Sequence, residues 1–455
     1  MKTLLLVFAF VPSLIFSQSR KQKKAIQAQL KTDQLVAGNF KNHVQYLLNQ
    51  NEKGTANQQQ SEEITNYISN QFTVAGLKPK GDHGFVQQFK VDDGKQIDGG
   101  TYLKVNGNNL VLHKEYVPLA YSAIKKVTGM PAMALREKGV PWFADVKDWA
   151  EENAPNTLSG LHPTIQKEAL KAAAKGAAAL FLYNSSNQAD SLDFNRKDKT
   201  APLPIPVVYI LPGGYKKYFH DHEQILDIEL NVAFKETERI GKSIVGYIDK
   251  GAPSSVIIGA AYKRSTVPAD NALVPENVGK TNSLNYATST AMLIELAKML
   301  SASPANNNNY LLVAFDEEGA GASDSNPWLK NASVSSPNYI VHLDNVNIVE
   351  GNKNLYVSGY ATSTALKETI KGLTATDLTV NVDTAAPASA GFHSFYQKNI
   401  PVLNVYTAAK NTTGGIVTAE QINYLAEVQI ARFLTRLVEA TENKGKLAMV
   451  NKEAF

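Results

Sequence analysis

Val256-Ile257-Ile258-Gly259-Ala260-Ala261-Tyr262-Lys263, then a polar loop, then Thr290-Ala291-Met292-Leu293-Ile294-Glu295-Leu296-Ala297: the reading of this stretch decides the fold. The first piece is a short β-branched run closed by small residues, the pattern of a strand buried on both faces in a parallel sheet. The second repeats apolar residues at Leu293, Leu296, Ala297 and Leu300, the stripe of a helix packed on that sheet.

Working outward, further strands are expected at Tyr310–Phe315, Tyr339–Asp344 and Pro401–Val405. The run Asn306–Asn309 reads as a turn. Ile430, Phe433, Leu434 and Leu437 share one face of a last helix. Strands alternating with helices predict an α/β three-layer sandwich with a mostly parallel central sheet. Ligands of such folds bind beyond the carboxyl ends of the strands.

This strand, loop and helix resembles the core of the M28 family of zinc aminopeptidases, a zinc-exopeptidase or phosphorylase/hydrolase-like fold. There the strand ends Gly-Ala-His-x-Asp and the helix is entered through Gly-Ala-Asp-Asp-Asn-Ala-Ser-Gly. The resemblance implies a co-catalytic zinc pair held by five ligand positions, with a Glu as general base. Position by position, the strand His falls at Ala261 and the Asp that orients it at Lys263. The bridging Asp falls at Leu284, its neighbour at Asn285, and a late His near Thr413. Methyl, ammonium and isobutyl groups cannot coordinate zinc, which takes imidazole, thiolate or carboxylate.

Two carboxylate positions survive. The family's Phe-x-Gly-Glu-Glu resembles Phe315-Asp316-Glu317-Glu318, which makes Glu317 the vestigial base and Glu318 the vestigial ligand; the alternative register assigns those roles to Asp316 and Glu317. The remaining ligand Asp matches Asp344. The family's Ser-Asp-His-x-x-Phe reads Ala390-Gly391-Phe392-His393-Ser394-Phe395 here. His342, two residues before Asp344 on one strand, points to the same face and joins His393 as a residue of the cleft. Both also admit a plain structural role. The Lys263 ammonium is expected among Glu317, Glu318 and Asp344, replacing charge that the metals supplied.

Before this core, Ile64, Ile68 and Phe72 mark a helix that ends at Gly76 and leads to Gln87-Gln88-Phe89. From about Gly100 the texture changes to short strands and long polar loops. An Ala-rich helix runs from Thr164 to Lys175, a strand from Gly176 to Tyr183, and Ile205-Pro206-Val207-Val208 follows. That order resembles the protease-associated domain inserted into M28 enzymes. The pair His220-x-His222, beside Asp221 and Glu223, reads as a solvated turn. The expected division is 1–18 signal peptide, 19–99 first part of the core, 100–242 insert, 243–442 core and 443–455 tail.

The 455 residues are 44% hydrophobic, enough for one large core and a smaller second domain. A net charge of +4, without a basic stripe interleaved with aromatics, argues against a nucleic-acid partner. Lys2, the apolar run Leu4–Phe16 and the exit Ser17-Gln18-Ser19 have the layout of a secretory signal. The competing reading is an uncleaved anchor, but the run is short of the ~20 residues that cross a bilayer. No later stretch approaches that length. With no cysteine, the chain has no disulfide, no thiolate site and no lipid-accepting cysteine. A periplasmic or secreted location is expected, with no membrane span once the signal is removed.

The expected function is that of an M28-like protein without zinc or peptidase activity, binding a peptide or protein in the former cleft. No cofactor is expected. The alternative is a metallo-aminopeptidase with an altered or single-metal site, which would use zinc. A metal-free hydrolase using Ser283, Ser289 or Ser323 is disfavoured, because no Ser-centred glycine elbow precedes a helix.

Overall fold

The computed structural model describes residues 12–52, 58–149, 160–186, 190, 192–263, 276–316, 337–373, 377–383, 395, 398–407 and 417–450. The chain divides into two compact units, one of residues 1–89 and 240–455, the other of 90–239. The expected insert began at Gly100; the chain leaves the first unit ten residues earlier, after Phe89.

The larger unit is built on a nine-stranded sheet. Its strands are β1 (Lys78–Pro79), β2 (Val86–Ile97), β3 (Phe234–Ile248), β4 (Ser255–Lys263), β5 (Asn309–Asp316), β6 (Pro337–Leu343), β7 (Asn354–Ser358), β8 (Thr379–Asp383) and β9 (Val402–Tyr406). β2 and β3 continue into the second unit. The sheet order is β1-β3-β5-β4-β6-β9-β7-β8, with β2 also on β3. Strands β5, β4, β6 and β9 are mutually parallel, so their carboxyl ends share one edge of the sheet. Flanking β3 and β7 run antiparallel to this block. The fold is α/β with a mostly parallel central sheet, as read from the sequence.

Strand alternation separates two apolar clusters. Ile258, Ala260 and Tyr262 of β4 join Leu312, Ala314, Val341 and Leu343 on the face that carries the helices. Those helices are α1 (Pro12–Glu52), α2 (Gln58–Val74), α3 (Glu276–Ala302), α4 (Thr364–Gly372) and α5 (Tyr424–Thr441). Ile64, Ile68 and Phe72 of α2, and Ile430, Phe433, Leu434 and Leu437 of α5, are all buried there. The opposite face holds a smaller cluster of Val245, Ile257, Leu311, Val313, Phe315, Ile340, Phe395 and Val402.

A buried polar hub ties three helices within the larger cluster. His43 Nδ1 lies 2.6 Å from the Tyr67 hydroxyl, and its Nε2 lies 3.0 Å from Glu295 Oε1. Lys298 Nζ–H also donates to Glu295, at 2.7 Å. Burial pushes the Glu295 carboxyl up, but these two partners outweigh it and hold the group below its ordinary value.

Helix α3 differs from the sequence reading. A polar loop was expected up to Thr290, whereas the helix begins at Glu276. The reason lies in spacing: Leu284, Ala287 and Ala291 recur at three and four residues and are all buried, so the apolar stripe continues through the polar segment.

The smaller unit has two four-stranded sheets. One orders its strands Asn108–Asn109, Tyr102–Val105, Ile228–Val232 and Lys125–Gly129, all antiparallel. The other orders Tyr116–Pro118, Val207–Ile210, Leu180–Tyr183 and Trp142–Asp145, the last three parallel. A helix at His162–Ala174 buries Ile165, Ala169 and Ala172 in this unit.

Candidate functional site at the strand ends

The parallel block brings the carboxyl ends of β4, β5 and β6 side by side. In register, Ala261 pairs with Phe315, Lys263 with Asp316, and Ala260 with Leu343. Tyr262 follows Ile258 and Ala260 onto the helical face, where it is buried and its hydroxyl donates to Lys242 O at 3.1 Å, and the pairing register with β5 shifts between Ala261 and Lys263. Of the Phe315-Asp316-Glu317-Glu318 run, Phe315 and Asp316 are described and fully buried. Glu317, Glu318, His393, Thr413 and Ser323 lie outside the described residues, as does the side chain of Lys263. The expected approach of the Lys263 ammonium to the carboxylates therefore remains a proposal.

The two positions that would hold zinc ligands in the family do not face each other. Ala261 packs against the small cluster that includes Phe315. Leu284 is 2% exposed inside the large cluster on the opposite face of the sheet. Neither side chain carries a donor atom, and their methyl groups sit in separate apolar environments.

Phe315 occupies the space beside the small residues of β4. A Cβ on Gly259 would fall 2.8 Å from Phe315 Cε1, so the ring needs glycine beneath it. The same ring stacks on His342, with centroids 5.9 Å apart. His342 is buried, and its Nδ1 lies 2.8 Å from Asn404 Oδ1. A carboxamide oxygen only accepts, so Nδ1 carries the proton. Burial pulls the imidazole down to about 4, against the opposing pull of Asp344 and Asn404, and it is neutral at pH 7. Asp344, by contrast, is exposed, and its backbone N–H donates to Val405 O at 2.9 Å.

Helix α3 is hydrogen-bonded to these strand ends and the segment that follows β6 through several side chains. Thr290 Oγ1–H donates to Ala261 O at 3.3 Å. Val346 N–H donates to Ser289 Oγ at 3.2 Å, a structural use of a serine weighed as a nucleophile. Asn285, next to Leu284, accepts a hydrogen bond from Asn347 Nδ2 at 2.7 Å. Asn345 adopts a left-handed backbone, φ 51°, and its Oδ1 also accepts from Asn347 Nδ2 at 2.7 Å. Thr407 Oγ1 accepts from Asn347 N at 2.8 Å and lies within donating distance of Asn347 O.

Glu427 of α5 closes this network from below. It is 2% exposed, and its Oε1 accepts the Ile348 N–H at 2.6 Å. Glu427 Oε2 and Asn347 Oδ1 are buried acceptors without a partner among the described residues. Burial pushes the Glu427 carboxyl up to about 8. Sequence reading missed Asn347, Asn404, Thr407 and Glu427. The available signal for Glu427 was its place on the apolar stripe of α5, three and four residues before Ile430 and Ala431.

The residues present do not fit a zinc pair. Two ligand positions lack donor atoms and face different clusters. Among the described residues, no three His, Asp or Glu side chains group so as to hold a metal ion.

Fold and site together define an α/β protein whose described strand ends, at the edge where such folds bind ligands, combine apolar and amide side chains with the buried Asp316, His342 and Glu427. The structure is similar to solved M28 zinc aminopeptidases. The zinc aminopeptidase BSAP from Bacillus subtilis is 17% identical and aligns over 88% of this chain and 94% of its own, with a TM-score of 0.49. An aminopeptidase from Aneurinibacillus sp. strain AM-1 is 16% identical over 91% and 95%, with a TM-score of 0.48. A Peptidase M28 precursor from Shewanella amazonensis SB2B is 12% identical over 92% and 98%, with a TM-score of 0.43. No protein-family model and no curated protein matches the sequence. These likenesses concern the course of the chain. Among the described residues, no helix is long and apolar enough to cross a membrane.

Proposed function

We propose that this chain is an exported M28-like protein that has lost zinc and peptidase activity and binds a peptide or protein segment at the strand-end site. One observation carries the reading: Ala261 and Leu284, which stand where the family places a zinc ligand and the bridging carboxylate, lie in apolar clusters on opposite faces of the sheet. Fold alone does not give function, so the site must carry the argument. Replacing both positions by hydrocarbon and packing them from two sides leaves no route to a shared ion. The second unit is read as the inserted protease-associated domain.

The alternative reading, a metallo-aminopeptidase with an altered or single-metal site, is favoured by one feature. His342 is neutral with its proton on Nδ1, the state a metal-binding imidazole requires. Metal analysis of the purified protein together with an aminoacyl-anilide assay separates the two. Stoichiometric zinc with chelator-sensitive turnover would establish the enzyme, and absence of both would support the binding protein.

A further inference from the structure

In the smaller unit, Lys125–Gly129 is the last strand of its four-stranded sheet. Its inner neighbour is Ile228–Val232, with Val127 opposite Leu230 and Lys126 opposite Asn231. No strand covers its outer side among the described residues. Such an edge presents unpaired N–H and C=O groups to any extended chain that approaches. Short edge strands normally avoid large exposed apolar neighbours, and this one does not. Ile124 precedes it at 63% exposure and Met130 follows it at 65%. Beside Met130, the Ala132–Ile225 bridge and the Leu226 N–H to Pro131 O bond (3.0 Å) hold Ile225 in place, 60% exposed.

The two faces of the strand specify what could pair with it. Val127 is buried in the cluster with Leu230 and Ile228, so an added strand would place alternate side chains at the rim of that cluster. Lys126 and Thr128 are exposed on the other face, with Lys125 exposed at the strand start. Neither Lys125 nor Lys126 has a carboxylate partner among the described residues. On one face of Gly129, Pro141 and Val140 come within 3.1 and 3.4 Å of where a Cβ would stand, so this end of the strand is packed on that face.

We propose that this edge is a docking site for an extended partner segment that alternates apolar and acidic residues and is held by backbone pairing. Apolar side chains would meet the rim around Val127 and carboxylates would meet Lys126 on the opposite face, with Lys125 at the strand start adding positive charge beside the docked chain, which fits the strand-addition mode of peptide recognition. A second copy of this chain is a poorer occupant, because self-pairing gathers four ammonium groups on two adjacent strands. The inference stands on the smaller unit alone and does not depend on the reading of the strand-end site in the larger one.

The test uses the full chain and a blocked, fluorescein-labelled peptide alternating valine and glutamate, against its valine–lysine counterpart. Anisotropy titrations should show binding of the acidic peptide only, weakened roughly tenfold in the Lys125→Glu, Lys126→Glu double variant, as expected for reversing two exposed charges. Hydrogen exchange should slow across residues 125–129 when the peptide is added. Equal binding of both peptides, binding unaffected by the double variant, or protection confined to other segments would overturn the proposal. So would no binding, or protection of 125–129 that needs no peptide and grows with protein concentration, the signature of self-pairing.

Discussion

Glu427 gives the strand-end network a measurable dependence on pH. Its carboxyl is 2% exposed, takes one backbone N–H from Ile348, and is pushed by burial from an ordinary value near 4.5 to about 8. The folded protein therefore keeps this proton where the unfolded chain has released it. The sign follows from linkage: the stabilisation is complete below about pH 4.5 and is lost as pH rises through about 8. From pH 5 to pH 7 the loss amounts to roughly 2 to 3 kcal/mol at 1.36 kcal/mol per pH unit. Glu427→Gln keeps an acceptor for Ile348 N–H and cannot ionise. Urea midpoints of the two proteins, measured at pH 5, 7 and 8.5, should diverge in favour of the variant as pH rises. Curves that stay parallel over that range would refute the buried, proton-holding carboxyl, whatever their offset.

Other substitutions follow from the same packing. His342, held near 4 by burial, costs stability as pH falls from 6.5 toward 4 and the unfolded imidazole takes up a proton first; the loss, up to about 3 kcal/mol, should vanish in His342→Gln. The two windows oppose each other around pH 5 to 6, so wild type should look flat there while each variant slopes. Gly259→Ala should destabilise by about 1–3 kcal/mol in urea unfolding, because the new methyl drives Phe315 off His342. Leu284→Asp, which restores the family's letter alone, buries a carboxylate among hydrocarbon and should cost about 3 kcal/mol or more without raising zinc affinity by equilibrium dialysis.

Most of the central fold was legible in the sequence because its strands are buried on both faces and its helices on one. Val256–Ala261, Tyr310–Phe315 and the stripe at Ile430, Phe433, Leu434 and Leu437 read directly. The helical start of α3 was less visible, since Asn, Ser and Thr residues between Glu276 and Thr290 conceal the spacing of Leu284, Ala287 and Ala291. For the site the sequence offered an expectation of losses, with Ala261 and Leu284 at positions where the resemblance implies metal ligands. What replaced them was not legible. The Asn345, Asn347, Thr407 and Glu427 network joins residues up to 82 positions apart, and only tertiary packing reveals that Asn347 Nδ2 meets Asn285 or that Glu427 reaches Ile348. Nor could periodicity show that Phe315 fills the space over Gly259.

The account stands most directly on the zinc content of the purified chain after equilibration with zinc and gel filtration, read by mass spectrometry beside aminoacyl-anilide hydrolysis. It predicts substoichiometric zinc, unchanged in Ala261→Gly, and no hydrolysis that a chelator abolishes. Tightly held stoichiometric zinc with chelator-sensitive turnover would contradict it.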